Sequence, residues 1–190
     1  MESPLIVLLQ ITHALDAQGI NYVVVGSFAS SLHGIYRTTN DIDIIADIKL
    51  EQINALVATL QNDFYIDEQS ARRAVMTHRS FNIIHFESVF KVDIFVPPLD
   101  DFSQQQLLRR QSEQLAPDVA QPFYVATAED TILAKLKWYR AGNEISNTQW
   151  TDVLGVIGSQ GENLDVDYLR AWADKLSVRD LLEKVLNEAR

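Results

Sequence analysis

The chain has 190 residues, 47% of them hydrophobic, a formal net charge of −10 and no cysteine. That length and apolar content support one domain with a helical appendage and a real core, and argue against disorder. The charge disfavours sequence-independent binding to DNA or RNA, which needs a cationic surface, and the missing cysteines exclude disulfides and thiolate metal sites.

The N-terminal segment 3–18 predicts a helix. Ser3 suits its cap, Pro4 its first position and Gly19 its stop, while Leu5, Leu8, Leu9 and Leu15 form an apolar stripe. The run Leu5 to Leu9 is too short for a signal segment or a membrane span, so a cytoplasmic protein without membrane attachment is expected. The β-branched run at 21–26 predicts a first strand buried on both faces. Gly26 and Ser27 follow it and open a short helix, 27–33, with Phe28, Ala29 and Leu32 as its expected buried face. Gly26 lets the backbone pass close to a ligand, and Ser27 offers either a helix cap or a hydroxyl for phosphate.

Arg37 to Asn40 lead into Asp41-Ile42-Asp43 and the apolar run Ile44-Ile45-Ala46. Strand side chains alternate, so Asp41 and Asp43 face the same way, about 7 Å apart. Two such carboxylates near backbone N–H groups at a helix start can hold divalent cations and a polyphosphate together. Arg37 either contacts the triphosphate or pairs with the two aspartates, and Thr38 and Thr39 shape the turn.

Residues 49–61 predict a core helix through Ile53, Leu56, Val57 and Leu60. Segment 67–80 carries Arg72, Arg73, His78 and Arg79, the most cationic stretch of the chain, either a solvated helix and loop or a basic rim for phosphates. Two strands, 81–86 and 90–96, predict a hairpin whose second strand, Lys91-Val92-Asp93-Ile94-Phe95, delivers a third carboxylate. A charged aspartate in such a run is costly to bury unless paired or metal-bound. Pro97-Pro98 marks the expected end of the sheet, and 100–116 a Gln-rich connecting helix with Leu107, Leu108 and Leu115.

From Thr127 the chain reads as helical. Thr127 and Asp130 resemble a capping box, and Ile132, Leu133, Leu136 and Tyr139 form the apolar face. Lys135 borders that face, with its ammonium expected either in water or on a phosphate. Three further helices follow, marked by Trp150, Val153, Leu154 and Ile157, then by a cap at Asp165, then by a cap at Ser177. Asp152 is a candidate supporting or acceptor-side acid. The chain lacks a Gly-x-x-x-x-Gly-Lys-[Ser/Thr] loop, a Gly-x-Ser-x-Gly elbow and His-Glu-x-x-His spacing, which argues against P-loop, hydrolase-triad and zinc chemistry.

Gly-Ser, thirteen residues, Asp-x-Asp and a later apolar-Asp-apolar strand resemble the nucleotidyltransferase superfamily that includes DNA polymerase beta. Gly34, Arg37 and Thr39 resemble its bacterial branch of AbiEii-type toxins, and a weaker resemblance runs on through Glu129-Asp130 and Lys135. The resemblance implies an α/β (α+β) fold, with a mixed-sheet nucleotidyltransferase core over 1–97 flanked by helices, then a connector and C-terminal helical domain over 98–190. It implies an enzyme moving a nucleoside monophosphate from an NTP to an acceptor, with release of pyrophosphate. Asp41 and Asp43 would bind two Mg²⁺ ions and Asp93 the catalytic one. Gly26, Ser27, Arg37, Thr39 and Lys135 would bind the nucleotide, an NTP such as ATP whose base the sequence leaves open. The acceptor stays open between a small molecule, a protein and tRNA. A non-catalytic nucleotide-binding module acting as antitoxin or scaffold is the alternative.

Overall fold

A computed structural model describes residues 4–39, 41–97, 100–114 and 122–189. The chain forms two compact units, one of Met1–Val24 with Thr39–Val125 and one of Val25–Thr38 with Ala126–Arg190.

The first unit is built on a mixed sheet. Its strands are β1 (Tyr22–Val25), β2 (Asp41–Ala46), β3 (Phe64–Ile66), β4 (Ser80–His85), β5 (Lys91–Phe95), β6 (Gln111–Glu113) and β7 (Phe123–Val125), in the order β3-β4-β5-β2-β1-β7-β6. β2 runs parallel to β5 and β1 to β7, while β3–β4, β4–β5 and β6–β7 are antiparallel. β1 has Tyr22, Val23 and Val24 buried, as a β-branched central strand should. In β2 and β5 burial alternates strictly: Ile42, Ile44, Val92 and Ile94 are buried, and the residues between them are half-buried. This two-residue period pins the register, because a slip of one would bury the aspartates.

Helix α1 (Pro4–Ala17) ends where Gly19 takes φ 64°, letting the Ile20 N–H reach the Leu15 carbonyl at 2.9 Å. The expected cap at Ser3 lies outside the described residues. α3 (Ile53–Leu60) packs on α1 and β3, and α4 (Glu68–Thr77) on β4. Asp67 caps α4 by accepting from the Ser70 N–H at 3.0 Å. Arg72 on α4 pairs with Glu68 at 2.8 Å, so its charge is engaged along the helix itself.

The sheet does not stop at Pro97. After α5 (Asp101–Arg109), capped by Asp100, the chain adds β6 and then β7, whose Val125 lies opposite Val24 of β1. The expected connecting helix therefore ends at Arg109; Leu108 is exposed, Leu115 and Pro98 lie outside the described residues, and Phe102, Ser103 and Gln106 are the buried positions. As compact units, 98–125 group with the sheet and 25–38 with the helices.

The second unit holds α2 (Gly26–His33), α6 (Ala128–Ala141), α7 (Asn147–Gln160), α8 (Val166–Lys175) and α9 (Arg179–Glu188). α2 packs on α6 and α7 through Ala29, Ser30 and His33, and Leu32 is exposed, contrary to the apolar face expected from sequence. His33 Nε2 lies 2.6 Å from the Ala126 carbonyl oxygen, which fixes that face. α2 and α7 approach closely at Gly34: a Cβ there would lie 2.8 Å from the Val156 nitrogen and 2.9 Å from the Gly155 carbonyl carbon. Thr127 and Asp165 cap α6 and α8 as expected, accepting from Asp130 and Tyr168 N–H groups. α9 departs from expectation: Val178 takes the cap position, and Ser177 sits at φ 57° in the turn before it. Among the described residues no helix is long and apolar enough to cross a membrane.

Candidate active site

The carboxylate face belongs to the sheet unit. In the parallel register Asp43 lies opposite Asp93, and Asp41 opposite Lys91. All four are half-buried and share the face opposite Ile42, Ile44, Val92 and Ile94. Adjacent strands stand about 4.8 Å apart, so Asp43 and Asp93 can reach one ion, and Asp41 lies two residues along from Asp43. Thr39 donates its hydroxyl to the Asp41 carbonyl at 2.9 Å and to Asp41 Oδ1 at 3.1 Å, holding the first carboxylate at the strand entry.

The donors are all carboxylate oxygens, the chemistry that Mg²⁺ selects, and in type and face they fit such an ion. Among the described residues no three His, Cys, Asp or Glu side chains form a ready cluster, however. Asp93 is instead turned to Lys91, whose ammonium is 2.7 Å from its Oδ2. The hydrogen bond that the Lys91 ammonium donates to Asp93, together with the charges of Asp93, Asp41 and Asp43, raises that ammonium above its ordinary range despite partial burial. Sequence reading misses Lys91 as a member of this face, although Lys-x-Asp on one strand already puts both side chains on one side.

The second cluster belongs to the helical unit and centres on Asp152 of α7. Arg37 grips this carboxylate with two prongs, Nε to Oδ1 at 3.0 Å and Nη2 to Oδ2 at 3.1 Å. Lys135 donates to Asp152 Oδ2 at 2.7 Å and to Gln149 Oε1 at 3.3 Å. Ser30 Oγ adds a long contact to Oδ2, 3.4 Å. The Lys135 side chain is only 5% exposed and that of Asp152 8%, so this ion pair is buried. Lys135 therefore does not snorkel to water, one of the two outcomes expected from sequence. Burial alone would raise the Asp152 carboxyl, but hydrogen bonds and charge from Arg37 and Lys135 outweigh it and hold the carboxyl below its ordinary range.

Gly26, the residue after β1, has φ 67°, a left-handed conformation that a side chain would strain. Ser27 does not cap α2; the cap position is Val25, with no side-chain bond. Its Oγ accepts from Arg37 Nη2 at 2.5 Å, and Ser31 Oγ donates to the Arg37 carbonyl at 3.3 Å. Arg37 finds its carboxylate in Asp152, so the pairing with Asp41 and Asp43 considered from sequence is replaced by one across 115 residues. Asp152 is the residue that sequence reading undervalues. The signal for it is indirect: two cations assigned to one site of an acidic protein need an acid, and Asp152 borders the buried stripe of Val153 and Val156.

A mixed sheet with parallel central strands, antiparallel edges and flanking helices matches a nucleotidyltransferase-like fold, and solved structures share it. The antibiotic-resistance factor ANT(2'')-Ia in solution matches with a TM-score of 0.54 and 15% identity over 96% of both chains. ANT(2'')-Ia in complex with adenylyl-2''-tobramycin gives a TM-score of 0.53 and 14% identity, covering 90% of this chain and 96% of that one. The lincosamide antibiotic adenylyltransferase LnuA, lincomycin-bound, gives 0.51 and 15%, covering 82% of this chain and 96% of its own. No curated protein matches the chain in sequence. The family model for Aminoglycoside-2''-adenylyltransferase matches residues 7–106, more than half of the chain, and the protein belongs to that family. It is a nucleotidyltransferase enzyme.

Proposed function

We propose that the protein transfers a nucleoside monophosphate, adenylate by preference, from Mg-NTP to a hydroxyl of a cationic small molecule of the aminoglycoside kind. The observation that carries this reading is the register pairing of Asp43 with Asp93, with Asp41 on the same face. Asp41, Asp43 and Asp93 would hold magnesium, which when bound would supply positive charge to the triphosphate and lower the pKa of the acceptor hydroxyl. Asp93 is also the candidate base for that hydroxyl's proton. The acceptor oxygen forms a bond to the α-phosphorus, the bond to the β-phosphate oxygen breaks, and pyrophosphate leaves. Ser27 and Arg37 are the candidate phosphate ligands, because the Arg37 side chain is 36% exposed and bonds the Ser27 hydroxyl beside it. Thr39 acts through Asp41, and buried Lys135 anchors Asp152. Gly26 supplies the turn.

Charge and family support this choice of acceptor. A net charge of −10 draws a polyamine and repels tRNA. ANT(2'')-Ia is seen in complex with adenylyl-2''-tobramycin, and LnuA is a lincosamide antibiotic adenylyltransferase. The AbiEii-type toxin branch rests only on the pattern Gly34, Arg37 and Thr39, and Gly34 already has a packing reason. The test is incubation with each α-labelled NTP and Mg²⁺ against aminoglycosides, a lincosamide, tRNA and cell lysate. We expect label from ATP on an aminoglycoside. Label on tRNA or protein alone would move the protein to the toxin-like class, and nucleotide binding without transfer would make it a binding module.

A further inference from the structure

Lys91 stands where a cation is wanted. It lies opposite Asp41 in register and two residues before Asp93, on the face that carries all three aspartates. Its ammonium is 2.7 Å from Asp93 Oδ2. β4 brings no charge to this end of the face, since Asn82 lies opposite Asp93 and Ile84 opposite Lys91. The Lys91 side chain is 42% exposed and that of Asp93 15%, so the ammonium can leave into solvent while the carboxylate stays partly shielded. An ion pair this open is worth at most about 1 kcal/mol, which makes it reversible. The same unit charge still has to be displaced before a divalent ion can use Asp93.

We propose that Lys91 is a built-in competitor of the divalent cation, neutralising the carboxylate face without metal and releasing Asp93 when metal and nucleotide arrive together. This rests on the metal-site reading of Asp41, Asp43 and Asp93 given above. A bare ion offers the displaced ammonium nothing. A metal–triphosphate offers it a polyanion in exchange for Asp93. Lys91 thereby ties metal loading to nucleotide, and guards the carboxylates against ions that come alone.

The test measures free Mn²⁺ by electron paramagnetic resonance as the ion is titrated into wild type, Lys91→Met and Lys91→Arg. Each is run with and without a non-hydrolysable ATP analogue. Lys91→Met keeps the stem and removes the charge. It should bind Mn²⁺ alone about fivefold more tightly, the equilibrium factor for ~1 kcal/mol. Its gain on adding the analogue should be smaller than that of wild type. Lys91→Arg should behave as wild type. Melting curves establish that each variant is folded, and Lys91→Gln replaces the Met variant if that one aggregates. If wild type takes up Mn²⁺ with the analogue but Lys91→Met binds the bare ion no more tightly, the competitor role is overturned and the metal site stands. The same holds if Lys91→Arg gains as much as Lys91→Met. If neither wild type nor variant takes up Mn²⁺ under any condition, the metal-site reading fails and the competitor role fails with it.

Discussion

Replacing Asp152 by asparagine keeps the shape of the side chain and removes its charge. Three donors converge on this carboxylate: Arg37, Lys135 and Ser30. Their losses are unequal. The Arg37 side chain is 36% exposed, so its guanidinium can turn to water, and its share is small, as for a surface pair. Lys135 is buried, and of its two acceptors named above its ammonium would keep Gln149 and gain only a neutral amide oxygen in place of the carboxylate. Removing one partner of a buried pair costs about 3–5 kcal/mol, and the retained acceptor places Asp152→Asn near the lower end. For a chain of this size that is a fall in Tm of roughly 6–12 °C. Lys135→Met with Asp152→Asn should recover part of the loss, because the buried ammonium is then gone along with its counter-ion. The pH sign follows from the direction of the shift. A carboxyl held below its unfolded value, about 3.9, contributes fully above that value and loses the contribution as pH falls through the folded one. Urea unfolding at pH 7 and at steps below pH 5 should therefore show the gap between wild type and Asp152→Asn closing on the acid side. A gap under about 0.5 kcal/mol at pH 7, or one that does not change with pH, would refute the buried-pair reasoning.

Gly34→Ala should destabilise by about 1–3 kcal/mol, read as a lower Tm, because its Cβ meets backbone atoms of Gly155, Val156 and Ser30 that cannot swing aside. A wild-type Tm would mean that α2 and α7 part at little cost. Asp43→Asn should lower labelled-nucleotide transfer on the order of a thousandfold, as when a main electrostatic stabiliser is lost, with metal-free Tm unchanged or raised. Transfer that persists at the wild-type rate would remove Asp43 from catalysis.

The features legible in the sequence are local ones. The alternation in β2 and β5 needs only five or six residues, and it suffices to put Asp41, Asp43 and Asp93 on strands. The caps Thr127 and Asp165 act within four residues of their helix starts and are legible for the same reason. What escapes the sequence is non-local or too short to carry a period. β3, β6 and β7 have three residues each, and β7 joins the sheet by pairing Val125 with Val24, a hundred residues earlier. Pro97-Pro98 therefore reads as the end of the sheet when the chain returns to it afterwards. α2 has two turns, too few for Leu32 to be told from Ala29 and His33 as the buried face, and its packing on α6 and α7 decides that. Arg37 and Asp152 are far apart in sequence, so no local pattern joins them.

Charge explains why the second cluster is harder to read than the first. Isolated ions are expensive to bury, and the charged groups at the heart of both clusters meet opposite charges inside their own units. Asp152 takes up the positive charge of Lys135 and half-open Arg37, and Lys91 takes up part of the negative charge of the aspartate face. A motif read from sequence names only the groups that face the ligand and is silent about these internal partners. Yet the partners decide what binding costs. A ligand that comes to either cluster replaces an existing ion pair instead of meeting a bare charge, so the energy it gains is a difference between two pairings. The buried pair at Asp152 is held by several donors and resists exchange, which suits a framework that keeps Arg37 in place. The contact of Lys91 with Asp93 is half in water and exchanges readily, which suits a group that must yield to metal and nucleotide.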